Sequence, residues 1–234
     1  MNPQKIVSRK EWIAARKELL AREKVFTRER DALSAARREL PRVEVDKDYV
    51  FEGPDGPVKL ADLFQGRQQL IVYHLMFDPA KEKACPHCSF VIDGIASGLV
   101  HLEGRDTAFA AVSRAPYAKI APFKQRMQWT FPWVSSNAND FNYDFHVTLD
   151  PNKGSTVYNY ETVDWKGEYP GLSVFLREGN RIFHTYSTYM RGLDIFMSPY
   201  HLLDATPMGR HEDKPMSWVK YHDEYANLTR DTSA

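Results

Sequence analysis

The sequence predicts an α/β fold in which helices cover both faces of a mixed central sheet, with a long helical arm before it. Two apolar runs, "QLIVYHLMF" and "TAFAAVS", are typical of buried central strands. Apolar residues at helical spacing follow each run, and "GLSVFLREGNRIFHTYST" predicts a hairpin that turns at Gly179 and Asn180. Strands that alternate with helices and end in a hairpin favour this α/β plan.

The arm is predicted from a capping signal and a seven-residue apolar repeat. Ser8 and Glu11 are spaced as a capping box, in which each side chain satisfies a backbone amide of the first turn. One side of the helix, which ends before Pro41, then carries apolar residues at every seventh position: Trp12, Leu19, Phe26, Leu33 and Leu40. This side predicts either an arm packed on its own domain or a homodimer through the arm. We divide the chain into the arm (1–41), a domain (42–206) and a polar C-terminal tail (207–234).

Charge and hydropathy exclude several classes of partner. The 31 basic and 31 acidic side chains cancel, which argues against nucleic acid. The first residues, "MNPQKIVSRKEWIAARKELLAREK", carry charge throughout and lack the apolar run of a secretory signal. No stretch approaches the roughly 18 apolar residues of a membrane span. We therefore expect a cytoplasmic protein without a membrane partner, and there a Cys-x-x-Cys is more often catalytic or metal-binding than a static staple.

The two cysteines of the chain, Cys85 and Cys88, lie in "ACPHCSF", between a predicted strand and a predicted helix. Pro86 suits the first helical position, because it has no N–H to leave unpaired. Free amides and the helix dipole would favour a thiolate at Cys85, and a protonated His87 would add to this effect. Cys88, one turn deeper, could attack a mixed disulfide at Cys85. The sequence thus predicts a nucleophile and a resolving thiol.

Two alternatives compete with a redox pair. Cys85, Cys88 and His101 match three ligands of a zinc finger, but no histidine follows at positions 105 to 107. The two thiols could also be inert and buried. We expect neither a metal nor a cofactor.

Further site residues are predicted from their positions near strand ends, where α/β folds place binding sites. Arg114 directly follows the second covered strand and is a candidate to stabilise the Cys85 thiolate. The aromatic segment "WTFPWVSSNANDFNYDFHV" is a candidate substrate-facing wall, with core packing as the alternative. The candidate residues of this wall are Trp133, Ser135, Tyr143 and Asp144.

The chain resembles a bacterial thioredoxin-like family that is catalogued as a domain of unknown function and described as predicted dithiol–disulfide oxidoreductases. The resemblance runs over nearly the whole length, through "SRKEWIAARKELLAREK", "CPHCSF", "FAAVSRAP", "GLSVFLREG", "FHTYSTYMRG" and "LLDATPMGR". It implies a thioredoxin-like fold. Similarity of "DGPVKLADLFQGRQQLIVYHLMF" to a strand, turn and strand of peroxiredoxins implies the peroxiredoxin-like branch.

The resemblance also implies site features, with two departures from peroxiredoxins. Glu82 stands where peroxiredoxins place Thr or Ser, three residues before the reactive cysteine. Glu168, Tyr169 and Pro170 stand where peroxiredoxins carry an Arg. Pro170 is the candidate for the cis-proline that thioredoxins place opposite the disulfide.

The function implied is thiol–disulfide exchange with a protein or a small-molecule thiol or disulfide. The alternatives are an atypical two-cysteine peroxidase and a non-catalytic binding or scaffold protein.

Overall fold

The computed structural model describes residues 4–154 and 156–225, and the chain separates into two units, Met1–Pro41 and Arg42–Ala234. The first unit contains helix α1, Arg9–Arg38. Its N-cap is Ser8, and both hydrogen bonds of the predicted capping box to Glu11 are present. Which surface the apolar side of α1 meets stays a prediction.

The described residues of the second unit form twelve strands and five further α-helices. The helices are α2 Pro86–Ala96, α3 Leu99–Glu103, α4 Tyr117–Arg126, α5 Phe141–Asp144 and α6 Ser198–Asp204. The strands are β1 Val43–Glu44, β2 Val50–Gly53, β3 Gly56–Lys59, β4 Gln69–His74, β5 Thr107–Ser113, β6 Trp133–Ser135, β7 Thr148–Leu149, β8 Val157–Tyr158, β9 Glu161–Thr162, β10 Gly167–Glu168, β11 Gly171–Glu178 and β12 Arg181–Tyr189. Among the described residues, no helix has both the length and the apolar character that crossing a bilayer requires.

Eight strands form the central sheet, in the order β1-β12-β11-β4-β5-β6-β2-β3. Strands β4, β5 and β6 run parallel, and the β11–β12 hairpin pairs antiparallel beside β4. This arrangement confirms the predicted thioredoxin-like sheet. The β2–β3 hairpin extends the other edge through β6.

Alternate residues of β4 enter different cores, because successive side chains of a strand point to opposite faces. Tyr73 belongs to the larger core, which the sheet shares with α2, α4 and α6. Leu70 and Val72 belong to the second core, under α5 and the 3₁₀ turn Asp62–Phe64. The prediction of helices on both faces is therefore confirmed, and the end of β4 leads into the larger core.

The single helix predicted after Cys88 is in fact two helices. Helix α2 ends at Ala96, and α3 begins at Leu99 after Gly98. Gly94, inside α2, is a close-approach position, because a Cβ there would lie 3.1 Å from the Ser198 hydroxyl at the start of α6. The periodicity of apolar residues does not show such a break, since Leu99 of α3 packs against the same core as Val91 of α2.

The segment after residue 206 differs from the predicted polar tail. Up to residue 225 it packs on the larger core, with Val219 and Tyr221 buried and Trp218 against Phe90. The Tyr221 hydroxyl donates a hydrogen bond to the carbonyl of Ala84. The segment is polar in composition, and its few aromatic and aliphatic side chains are the ones that turn inward. Residues 226–234 lie outside the described part.

Candidate active site

Cys85 is the N-cap of α2, and Pro86 is the first helical residue, as predicted. The Cys85 amide donates to the carbonyl of Met76 at 2.9 Å, which ties the helix start to the end of β4. The Cys85 carbonyl accepts from the amide and the hydroxyl of Ser89, at 3.0 and 3.1 Å. These backbone bonds hold the Cys85 side chain where the strand meets the helix.

The Cys85 thiol has a pKa of about 6, lowered from an ordinary value of 9.0. The largest cause is a hydrogen bond with the Cys88 side chain, and partial burial opposes it. The amides of His87 and Cys88 make no regular capping bond to the sulfur, yet they face it and favour the thiolate. The charge of His87 acts in the same direction. At pH 7 about nine-tenths of this thiol is therefore thiolate.

The pKa of the Cys88 thiol is shifted in the opposite direction. It is 1% exposed, and burial together with the neighbouring Cys85 raises the pKa of its thiol well above 9.0. The Met76 amide lies 3.5 Å from its sulfur and is directed at it. The hydroxyl of Tyr73 makes no regular hydrogen bond, but it is near enough to the Cys88 sulfur to favour a thiolate there. The pair thus consists of one ionised, partly exposed thiol and one protonated, buried thiol.

The role of His87 can be tested by exchanging it for Leu. We expect the pKa of Cys85 to rise, by less than in a variant that lacks the Cys88 side chain, because a nearby positive charge that favours the thiolate is removed. The pH dependence of iodoacetamide labelling should shift to higher pH by the same amount. His101→Leu, in α3, is the matched control and should leave the profile unchanged. An unshifted profile in His87→Leu would exclude the electrostatic role of His87.

Arg114 has a different partner from the predicted one. Its Nη1 lies 3.3 Å from Glu168, and its guanidinium covers the ring of Tyr143 at 4.9 Å. Burial raises the pKa of Glu168, whereas the Thr148 hydroxyl, at 2.7 Å, and Arg114 favour its carboxylate. The residues that act on Cys85 are Cys88 and His87. Arg114 therefore stabilises a buried carboxylate rather than the thiolate.

The predicted substrate wall consists of packed and paired residues. Trp133 is buried, and its indole N–H donates to the hydroxyl of Ser113 at 2.9 Å. Ser135 is buried at the end of β6. Asp144 accepts hydrogen bonds from Lys47 at 2.6 Å and from the Tyr49 hydroxyl at 2.7 Å. Trp133 and Ser135 are thus buried as the core-packing alternative requires, whereas Asp144 is an exposed, ion-paired residue and Tyr143 lies half-buried under Arg114.

Pro170 does lie near the thiol pair, since it borders the same cavity as His87 and Cys88. Its peptide bond is trans, as are all others in the described residues, so the cis-proline that the resemblance implied is not present. Glu82, at the position of the peroxiredoxin Thr or Ser, is paired with Lys119 at 2.7 Å, and its side chain is 84% exposed. Glu168, near the position of the peroxiredoxin Arg, carries the opposite charge.

Sequence reasoning missed three parts of the site. Tyr73 is the last-but-one residue of the apolar strand β4. Within a run of hydrophobic residues, its hydroxyl gave no separate signal. Tyr221 comes from the segment that was predicted to be a tail. The cavity beside Cys88 is built from several distant segments, and no local pattern signals it. In residues 4–154 and 156–225, no group of three or more His, Cys, Asp or Glu side chains is placed to hold a metal ion.

The sheet and the thiol pair define a thioredoxin-fold protein with a dithiol at a helix N-terminus. The chain belongs to the family described as "Bacterial protein of unknown function (DUF899)", whose profile matches residues 1–225. This confirms the resemblance found in the sequence. No curated protein matches the chain.

Several solved structures are similar to this chain. A cysteine-to-serine mutant of PrxQ from Xylella fastidiosa is 14% identical, with a TM-score of 0.44 over 66% of this chain and 88% of that chain. Peroxidoxin BcpB from Mycobacterium tuberculosis is 13% identical, with a TM-score of 0.46 over 68% and 94%. The reduced 2-Cys peroxiredoxin from Plasmodium vivax is 12% identical, with a TM-score of 0.41 over 70% and 94%.

Proposed function

We propose that this protein is a dithiol–disulfide oxidoreductase with Cys85 as the nucleophile and Cys88 as the resolving thiol. The observation that supports the proposal is that the pKa values of the two thiols are shifted in opposite directions. Cys85, at the start of α2, has a pKa of about 6, while the buried Cys88 has a raised pKa and hydrogen-bonds the Cys85 sulfur. A thiolate attacks disulfides, and a thiol within hydrogen-bond reach of it can complete the exchange.

The proposed reaction has two steps. The Cys85 thiolate attacks one sulfur of a disulfide R–S–S–R, which forms a Cys85–S–S–R bond and releases RS⁻. Cys88 then loses its proton and attacks the Cys85 sulfur, which closes the Cys85–Cys88 disulfide and releases the second RS⁻. Both leaving groups take up protons. The substrate is thereby reduced to two thiols, and the protein is oxidised by two electrons.

The proposed setting is the bacterial cytoplasm, where paired thiols serve catalysis more often than structure. A lowered thiol pKa stabilises the reduced form and makes the disulfide more oxidising. We therefore expect a reduction potential above that of thioredoxin, in the range of about −230 to −120 mV. Equilibration with glutathione buffers, followed by labelling and mass analysis, measures it. Thiols that do not interconvert with a disulfide across this range contradict the proposal.

The two alternatives from the sequence are separated by further measurements. Oxidation of the reduced protein by hydrogen peroxide, followed in a stopped-flow instrument, tests the peroxidase. A rate no faster than that of free cysteine excludes it, as the position of Glu82 leads us to expect. The scaffold alternative requires that a protein with both cysteines changed to Ser keep full activity in cells, whereas an oxidoreductase loses it.

A further inference from the structure

An apolar cavity of about 220 Å³ lies beside the thiol pair. Cys88 and His87 border it on one side, and Pro170 borders it at the start of β11. Its other walls come from α2, from the 3₁₀ turn Met190–Phe196 and from the segment near residue 216. The cavity therefore meets the dithiol at Cys88, while Cys85 lies outside its lining, and distant segments of the chain form it.

Methionine is concentrated in this cavity. Four of the seven methionines of the chain border it, namely Met76, Met190, Met197 and Met216. Unbranched, polarisable thioether side chains adapt to apolar ligands of different shapes and contact aromatic rings favourably. Val91 and Leu193 add to the apolar part of the lining, which also includes the charged residues Arg191, Asp194 and Arg210. The apolar part of the lining favours an apolar group over a polar one.

One wall of the cavity is held in place by a partly buried network of hydrogen bonds. The carboxylate of Glu212 accepts from the Tyr200 hydroxyl at 2.9 Å, from the Met216 amide at 2.9 Å and from the Trp218 indole at 2.8 Å. Arg210 lies over the Tyr200 ring at 3.8 Å and pairs with Asp204 at 2.8 Å. These contacts fix the segment around Met216 against the domain, so the cavity is preformed.

Among the described residues that border the cavity, only Tyr73 has a buried side-chain polar atom without a regular hydrogen-bond partner. The hydroxyl of Tyr73 is fully buried, lacks a regular hydrogen-bond partner and borders the cavity next to Cys88. Buried hydroxyls are normally paired. An unpaired donor at this point can bond a sulfur or another acceptor atom of a ligand whose apolar part occupies the cavity.

The size of the cavity limits the ligand. A protein cavity of about 150 Å³ accommodates benzene, whereas pockets for drug-sized ligands usually start at about 300 Å³. The present cavity thus fits one aromatic ring or a short alkyl chain.

We propose that this cavity binds the apolar substituent of a low-molecular-weight organic disulfide, which is the substrate of the thiol pair. The proposal rests on the proposed function and names its substrate class. With the substituent in the cavity, the disulfide bond lies at the thiol pair and the Tyr73 hydroxyl faces the substrate sulfur. Cys85 then displaces one alkanethiolate, Cys88 displaces the other, and two alkanethiols leave.

The test compares two disulfides of nearly equal size, dipropyl disulfide and bis(2-hydroxyethyl) disulfide. For each disulfide, the rate at which it oxidises the reduced full-length protein is divided by the rate at which it oxidises dithiothreitol. This ratio corrects for the intrinsic reactivity of the disulfide. We expect the protein to prefer dipropyl disulfide by about tenfold or more, because an apolar pocket rejects the hydroxyl. Equal corrected rates would overturn the proposal.

A variant that fills the cavity gives the second arm. Met190 is 45% exposed, so Met190→Trp can place a larger side chain over the cavity without disturbing the buried core. It should slow dipropyl disulfide about tenfold and slow the hydroxyethyl compound by much less. Met208, 52% exposed and outside the cavity, offers Met208→Trp as the matched control. If Met190→Trp fails to fold, Met216→Trp takes its place. Equal slowing of both disulfides would contradict the assignment.

A binding measurement separates this proposal from the proposed function. Toluene should raise the melting temperature of the Cys85→Ser protein, in which no exchange is possible, and should have no effect on Met190→Trp. If toluene binds but no disulfide oxidises the pair, the oxidoreductase proposal fails, and with it the substrate assignment. If disulfides oxidise the pair and toluene does not bind, only the cavity proposal is overturned. Faster reaction with cumene hydroperoxide than with either disulfide would also overturn it.

Discussion

Replacement of Cys85 by Ser is expected to slow iodoacetamide labelling at pH 7 about 100-fold. The wild-type protein has one thiol with a pKa of about 6, which is largely ionised at this pH. The remaining Cys88 is buried and has a pKa well above 9.0, so about 1% or less of it is thiolate. Labelling should be followed by mass analysis to identify the modified cysteine.

The rate of iodoacetamide labelling should also depend on pH in a defined direction. For the wild-type protein, the labelling rate should fall about tenfold per unit below pH 6 and reach a plateau above pH 7, because only the thiolate reacts. Cys88→Ala should move the profile to higher pH by about one unit, since the largest stabilisation of the thiolate comes from the Cys88 side chain. Cys88→Ser, whose hydroxyl can still donate, is the matched control and should shift it less. Fast labelling that persists in Cys85→Ser would reverse the assigned order of attack.

Tyr221→Ala is expected to lower the free energy of unfolding by about 3–5 kcal/mol, the usual cost of deleting a large buried aromatic side chain. Tyr221 is 7% exposed, packs edge-on against Phe123 with ring centroids 5.4 Å apart, and lies under the guanidinium of Arg126. Urea unfolding monitored by circular dichroism provides the measurement. The rate of iodoacetamide labelling at Cys85 should also change in this variant. The reason is that the Tyr221 hydroxyl donates a hydrogen bond to the carbonyl of Ala84, the residue before Cys85.

Two controls make this prediction specific. Tyr221→Phe removes only the hydroxyl and should cost about 1 kcal/mol, plus the penalty of an unpaired carbonyl. Met208→Ala, in the same segment but 52% exposed, should change stability by less than about 0.5 kcal/mol. A Tyr221→Ala protein as stable as the wild type would mean that the segment after residue 206 is the tail that its composition predicts.

The parts of the site that could be predicted from the sequence depend on contacts within a few residues. Pro86 is favoured at a helix start because it has no N–H to leave unpaired. The apolar run before it is favoured as a central strand because both of its faces are covered. Together they place Cys85 at the junction. Cys88 then follows one turn later, whatever the rest of the chain does.

Other predictions failed because the partner of a polar residue is chosen by the packing of distant segments. Arg114 pairs with Glu168, 54 positions away, through the β10–β7 pair that brings Glu168 beside Thr148. Asp144 is neutralised by Lys47, 97 positions away. No spacing rule connects such residues, so a charged side chain near a strand end was assigned to the thiolate or to a substrate.

The sequence by itself determined the main strands of the sheet, the capped arm, and the thiol pair at the start of α2, since each depends on hydrogen bonds and side-chain spacing within one element. The tertiary structure alone decided which thiol is buried, that Pro170 is trans, that residues up to 225 join the core, and that four methionines from separate segments meet beside Cys88. These features depend on which faces of the sheet and helices remain to be covered once the sheet has formed. The hydrophobic effect acts between residues at any separation in the sequence, so no local pattern predicts them.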